Sequence, residues 1–309
     1  MLSRLFLSPC LVGWKDNMAD GKNFFNASRL LLFLKGMAMG AADTVPGISG
    51  GTIAFIANIY EELIFSIQSC NLQALRVLRR QGLQAAWVFI NGNFLLTLFC
   101  GILSAAFILA NIVGFLLDNF EVYVMAFFIG LILASSLFLR KHVSKWNWLS
   151  GFCLLAGVLF AVSLNLLPAR ENDAGLWFMF VCGAIAICAM ILPGISGAFI
   201  LVLLGAYEKI LDAVRELDFS VLLLFMGGCV VGLISFSNIL AYLLKHQRTQ
   251  TLAFLLGILL GSLYTIWPDQ LLSRSVGMGF WLKFVALVSA GFILVYYLEK
   301  LSETANQNK

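Results

Sequence analysis

Val45-Pro46-Gly47-Ile48-Ser49-Gly50-Gly51-Thr52 interrupts a hydrophobic stretch, and the interruption returns as Leu192-Pro193-Gly194-Ile195-Ser196-Gly197-Ala198-Phe199. Pro removes a helical donor and Gly weakens helix propagation, so each copy marks a break between helices. Both are followed, at the same distance, by Tyr-Glu: Tyr60-Glu61 and Tyr207-Glu208. Between 46–64 and 193–211, eight of nineteen residues are identical at an offset of 147. Gly130-Leu-Ile-Leu-Ala matches Gly257-Ile-Leu-Leu-Gly at an offset of 127. Two related halves are expected, the first carrying about 20 extra residues.

The 309 residues are 61% hydrophobic and 12% charged. Soluble domains carry about 25% charged residues. Apolar runs at 94–117, 122–139, 149–167, 219–244 and 280–298 approach or exceed the ~20 residues that a spanning helix needs. The composition predicts an all-α integral membrane protein, and the two-residue alternation of a β-barrel is absent. None of the seven cysteines forms a C-x-x-C pair, and most lie in apolar runs. They read as small packing residues. Leu5 to Trp14 reads as an interfacial segment, with a cleaved signal as the weaker alternative.

The runs flanking each break are short. Arg29–Ala42 and Thr52–Ser66 cannot each cross a hydrocarbon core of ~30 Å. A re-entrant helical hairpin over 29–66 follows, and a second over 176–212 built from Leu176–Ile191 and Phe199–Asp212. Non-helical backbone at that depth must be buried in protein or line a wet cavity. Residues 67–92 carry Leu72, Leu75 and Leu78 on one line, with Arg76, Arg79 and Arg80 off it. That pattern predicts a basic amphipathic helix on the membrane surface. Spanning helices are expected at 93–117, 122–140, 148–167, 219–244, 250–267 and 279–298. The plan is an N-terminal cytoplasmic or interfacial segment (1–28), a first repeat (29–167), a second repeat (175–298) and a cytoplasmic tail (299–309).

Each half has three spans and a hairpin. Whether a hairpin makes zero crossings or two, the total is odd, so the second half is inverted relative to the first. Inverted-topology repeats with broken helices near the midplane are a design of secondary transporters. With both termini in the cytoplasm, fifteen of the twenty Lys and Arg fall inside, as the positive-inside rule requires. All seven tryptophans lie near predicted segment ends.

The helix that starts after each break has first N–H groups without intrahelical partners. Gly47, Gly50, Gly51, Gly194 and Gly197 admit a ligand to the backbone, and Ser49, Thr52 and Ser196 add hydroxyls. Such a tip suits a phosphate or carboxylate, and two inverted tips would surround one anion. The plainer alternative is that Gly and Ser serve close helix packing while Pro kinks the chain. Asp43 and Lys35 are the charges nearest the first tip and are candidates for coupling or gating. Asp43 is a candidate carrier of a coupling proton or cation; it equally fits a cap on the turn, or a partner of Lys35 or Arg29. Glu61 and Glu208 recur with the repeat and are candidates for gating or for anchoring the hairpin ends. Gly-Ile-Ser-Gly also fits a serine nucleophile, but that chemistry needs a base. The two histidines, His142 and His246, fall in expected cytoplasmic loops. No catalytic residue, metal site or cofactor is expected, and no nucleic-acid partner.

Lys35-Gly36, Ala42-Asp43-Thr44-Val45-Pro46-Gly47-Ile48-Ser49-Gly50-Gly51-Thr52, Tyr60-Glu61, Pro193-Gly194-Ile195-Ser196-Gly197 and Tyr207-Glu208 together resemble the signature of the bacterial polyprenyl-phosphate (undecaprenyl phosphate) transporter family. The resemblance runs from about residue 29 to 298. It implies an inner-membrane protein that returns undecaprenyl phosphate to the cytoplasmic leaflet for cell-envelope synthesis. Arg76, Arg79 and Arg80 would then meet that headgroup or other anionic lipids. A small-anion transporter or channel stays open as the alternative, since chloride channels also present Gly, Ser and Pro at helix tips. Proton or sodium coupling and assembly into a homo-oligomer are left open.

Overall fold

The structure is a computed structural model that describes residues 27–43, 49–108, 110–143, 146–167, 175–267 and 278–307. Gly47 and residues 1–26 of the N-terminal segment lie outside the described residues. The described residues form thirteen helices. The first half contains α1 (Ala27–Asp43), α2 (Gly50–Ile56), α3 (Tyr60–Ser69), α4 (Leu72–Phe89), α5 (Gly92–Ile108), α6 (Ala110–His142) and α7 (Trp148–Leu166). The second half contains α8 (Leu176–Ile191), α9 (Gly197–Leu203), α10 (Tyr207–Glu216), α11 (Phe219–His246), α12 (Arg248–Ile266) and α13 (Met278–Gln307). Five helices are long and apolar enough to cross a membrane, six if the bent α4–α5 pair is one span.

The second half's three expected spans match α11, α12 and α13, although α13 continues into the expected tail. In the first half the stretch 93–117 is not one helix. α5 ends at Ile108, and α6 starts at Ala110 and continues through the expected loop at 118–121, bending at Phe120 (φ −139°, ψ 27°). α4 meets α5 at 53°. Only Ala86 of α4 is buried, while Leu72, Leu75 and Leu78 are exposed. An apolar line with nothing packed on it suits the membrane–water boundary.

α6 and α12 form the centre. More than half of each one's apolar window is buried (56% and 61%), against 17% for α7, α11 and α13. The outer helices turn Leu155, Leu223 and Leu282 outward. Large apolar side chains on the outside of long apolar helices belong in lipid. The chain is a multi-pass membrane protein.

Close helix pairs set the packing. α1 packs on α5, α8 on α11, α6 on α13 and α7 on α12. Each pair is joined by two facing glycines. A Cβ on Gly36 would strike the Leu98 carbonyl and one on Gly101 the Phe33 carbonyl. The same reciprocity joins Gly183 to Gly228, Gly130 to Gly291 and Gly157 to Gly257. Without Cβ atoms the backbones come into direct contact, as membrane helices favour. Gly36 and Gly183 are 147 apart, while Gly101 and Gly228, like Gly130 and Gly257, are 127 apart. The sequence repeat is thus also a repeat of contacts.

Candidate functional site at the helix breaks

Each break folds a short helix back on a long one: α2 lies against α1, and α9 against α8. Charged side chains of α1 hold both ends of α2. The Gly50 N–H donates to Asp43 Oδ1 (2.6 Å), and Lys35 Nζ donates to the Ala57 carbonyl at the other end (2.7 Å). A carboxylate at a helix start and an ammonium at its end both oppose the helix dipole. Asp43 thus caps the start of α2. The second break has Met190 at the corresponding place and no such pair.

The short helices end earlier than the sequence suggests. Thr52–Ser66 is two helices, because α2 stops at Ile56 and α3 begins at Tyr60. Asn58 is left-handed (φ +56°), Ile59 N–H donates to the Ala54 carbonyl, and Asn58 N–H donates to the Phe55 carbonyl. That is a Schellman termination. Gly205 (φ +67°) repeats it, with Ala206 N–H on the Leu201 carbonyl and Gly205 N–H on the Val202 carbonyl. Both Tyr-Glu pairs therefore open a new helix.

The two breaks meet. The buried Ser49 hydroxyl donates to the Met190 carbonyl (2.7 Å), and Gly194 N–H donates to Thr52 Oγ1 (2.8 Å). A Cβ on Gly51 would lie 2.7 Å from the Ile191 carbonyl, so only glycine lets the strands of backbone approach. Gly194 (φ +87°) turns against the buried Ser262. Ser49 also caps α2 by accepting from Gly51 N–H (3.1 Å), and Ser196 caps α9 by accepting from Phe199 N–H (3.5 Å). Gly197 packs near the Ala186 carbonyl. Of the expected phosphate-binding residues, Ser49, Gly50, Gly51, Thr52 and Gly194 come together at one buried junction, with Ser196 and Gly197 just beyond it.

Within this junction four donors are already satisfied. Gly50, Gly51 and Gly194 N–H and the Ser49 O–H all have protein acceptors. α2 and α9 have seven residues each, too few for a large dipole, so individual donors matter more than the helix ends. The hydroxyl of Ser49 points to a carbonyl and not to a base, unlike a serine nucleophile.

Two cavities lie toward opposite ends of α12. One, of about 10 Å³, touches Asn165, Gly194, Ser196 and Thr265. The other, of about 350 Å³, lies where Asn58, Glu61, Ser135, His142 and Arg248 converge. Glu61 and Arg248 form an ion pair there at 2.8 Å. Glu208, by contrast, is exposed and lines neither cavity. In the sequence Arg248 is only one of the Lys and Arg on the expected inside, and His142 only a histidine of an expected cytoplasmic loop. They are 106 residues apart, and no local pattern joins them.

Comparison with known proteins identifies the family. Residues 39–277 match the family described as undecaprenyl phosphate translocase-like (VCA0040-like). A polyprenyl-phosphate transporter of Vibrio cholerae is 46% identical over 239 residues, covering 77% of this chain and 78% of that protein. A polyprenyl-phosphate transporter of Staphylococcus aureus is 31% identical over 287 residues, covering 87% and 95%. No solved structure matches. The chain belongs to the undecaprenyl phosphate translocase-like family, a family of transporters and not of enzymes.

Proposed function

We propose that this protein carries undecaprenyl phosphate across the bacterial inner membrane and returns it to the cytoplasmic leaflet. The observation that carries the reading is the glycine-lined junction of the two breaks, where two donors are held by acceptors of the opposite break and two more by acceptors within the first. Opening it empty leaves buried donors unpaired, at about 1–3 kcal/mol each. A phosphate oxygen replaces the Met190 carbonyl, Thr52 Oγ1 and the Asp43 carboxylate as acceptor. The junction therefore opens most readily around an anion, while the prenyl tail stays in lipid. Gly47, Ser196 and Gly197 complete the headgroup path. Asp43 leaves Gly50 to the substrate when it takes up a proton, which makes it the coupling residue; Lys35 keeps α2 aligned.

Support for inverted repeats comes from the three spans per half that result when the bent α4–α5 pair counts as one, and from the glycine pairs that recur at 147 and 127 residues. The excess of Lys and Arg on one side supports cytoplasmic termini. On that side α4 exposes Arg76, Arg79 and Arg80, which suit anionic lipid headgroups.

The test is reconstitution. Proteoliposomes with the protein should move the phosphate headgroup of undecaprenyl phosphate between leaflets, read by protection from an external phosphatase. If chloride or inorganic phosphate crosses while the lipid does not, the protein is a small-anion carrier and the reading fails.

A further inference from the structure

The larger cavity is not part of the tip junction. It lies where the α2–α3 turn meets the C-terminal end of α6, the start of α12 and Val295 of α13. At about 350 Å³ it is within the range of small-ligand sites, ~300–1,000 Å³. Its charged groups are Glu61 and Arg248, with His142 beside them. Arg140 and Lys141 precede His142 in the last turn of α6. The start of α12, a helix of 19 residues, has no side-chain cap. Anions favour such a helix start.

Two features show more than a charged surface. Tyr60 is 3% exposed and lines the cavity. Its hydroxyl is the one buried side-chain N or O without a hydrogen-bond partner among the described residues. Native proteins seldom leave such a group unmatched. Second, the Glu61–Arg248 pair is a weak lock: the side chains are 37% and 56% exposed. Half-exposed ion pairs contribute little, whereas a guanidinium binds a phosphate through two parallel hydrogen bonds.

The repeat sharpens the assignment. Tyr-Glu occurs in both halves, yet Tyr207 is 38% exposed and lines neither cavity. Under the 127-residue offset, the counterpart of Arg248 is Glu121. One half places a cation where the other places a carboxylate.

We infer that this cavity is a second, waiting site for a prenyl phosphate monoester, with Arg248 as its anchor and Glu61 as a resident carboxylate that the headgroup displaces. Apolar walls from Phe55, Phe138 and Leu252 suit the first prenyl unit, so the ligand is a lipid phosphate and not the free ion. An anion that leaves the tips is held here and is not held at the corresponding place in the other half. This rests on the lipid-phosphate reading above.

The experiment measures binding of farnesyl phosphate, farnesol and inorganic phosphate to the full chain in detergent, beside lipid flipping in proteoliposomes. Arg248→Gln should weaken farnesyl phosphate at least about tenfold, and Arg248→Lys should recover part of that. Glu61→Gln should tighten binding, because the competing carboxylate is gone. A purely structural ion pair gives the opposite: both variants weaken binding together and lower the melting temperature together. That result, or unchanged affinity in Arg248→Gln, overturns the site. Inorganic phosphate binding as tightly as farnesyl phosphate overturns the lipid assignment. If wild-type protein flips no lipid phosphate, the transport reading itself fails, whatever Arg248 does.

Discussion

Asp43 and Lys35 stand eight positions apart on one helix and hold the two ends of another. That spacing spans about 12 Å along α1, close to the length of α2. Removing the charge at the start of α2 should change transport more than folding. Asp43→Asn keeps an acceptor for Gly50 N–H but takes up no proton. Its flipping rate in proteoliposomes is expected to lose the pH response of the wild type; a retained response would exclude Asp43 as the coupling group. Thr52→Val removes the acceptor of Gly194 N–H and leaves a buried donor unpaired. The expected loss is about 1–3 kcal/mol, seen as a lower melting temperature in detergent. The candidate residues could be read from sequence because Asp, Ser, Thr and Gly beside a Pro in apolar surroundings are conspicuous. Their partners could not. Nothing local pairs Lys35 with the Ala57 carbonyl or Ser49 with Met190, since such bonds exist only once the helices are packed.

Among the elements, the short helices matter most. The Schellman turns at Asn58 and Gly205 divide what the apolar pattern presents as single runs. The repeat of Tyr-Glu was visible, but in the first half the left-handed residue is Asn, which leaves a weaker mark than Gly. Gly205→Val puts a β-branched residue at φ +67°. It should destabilise the fold by ~1–2 kcal/mol or more, measured by thermal unfolding in detergent, and Gly205→Asn should be milder. The helix pairs follow a similar logic. Periodicity and length gave the long spans, and Gly130 and Gly257 stood out in the repeat. Their purpose did not, because a glycine that brings two backbones together looks the same in sequence as one that weakens a helix.

At the scale of the molecule, the sequence implies two equivalent halves, whereas the cavities do not follow that equivalence. A space of about 350 Å³ lies on the basic side of α12, and one of about 10 Å³ lies beside the second break. The smaller holds about one water. From this difference between the described cavities we expect an opening on one side only. His142→Cys, at an exposed position of the larger cavity, in a cysteine-free background, should react with a membrane-impermeant maleimide applied from the cytoplasmic side. Ser196→Cys should react slowly from either side. Equal labelling of both from both sides would contradict a one-sided opening.

The facing glycines have a consequence for movement. Two of the four close pairs, α6–α13 and α7–α12, join a helix of one half to a helix of the other. The halves are interlaced like two hooks and cannot swing apart as separate blocks without breaking backbone contact. The other two pairs, α1–α5 and α8–α11, each stay within one half, and each carries one of the breaks. What is left free to shift is a break riding on its own locked pair against a laced frame. A slide along the frame is the movement this packing would allow, with the hydrogen bonds between Ser49, Thr52 and the opposite tip as its stops.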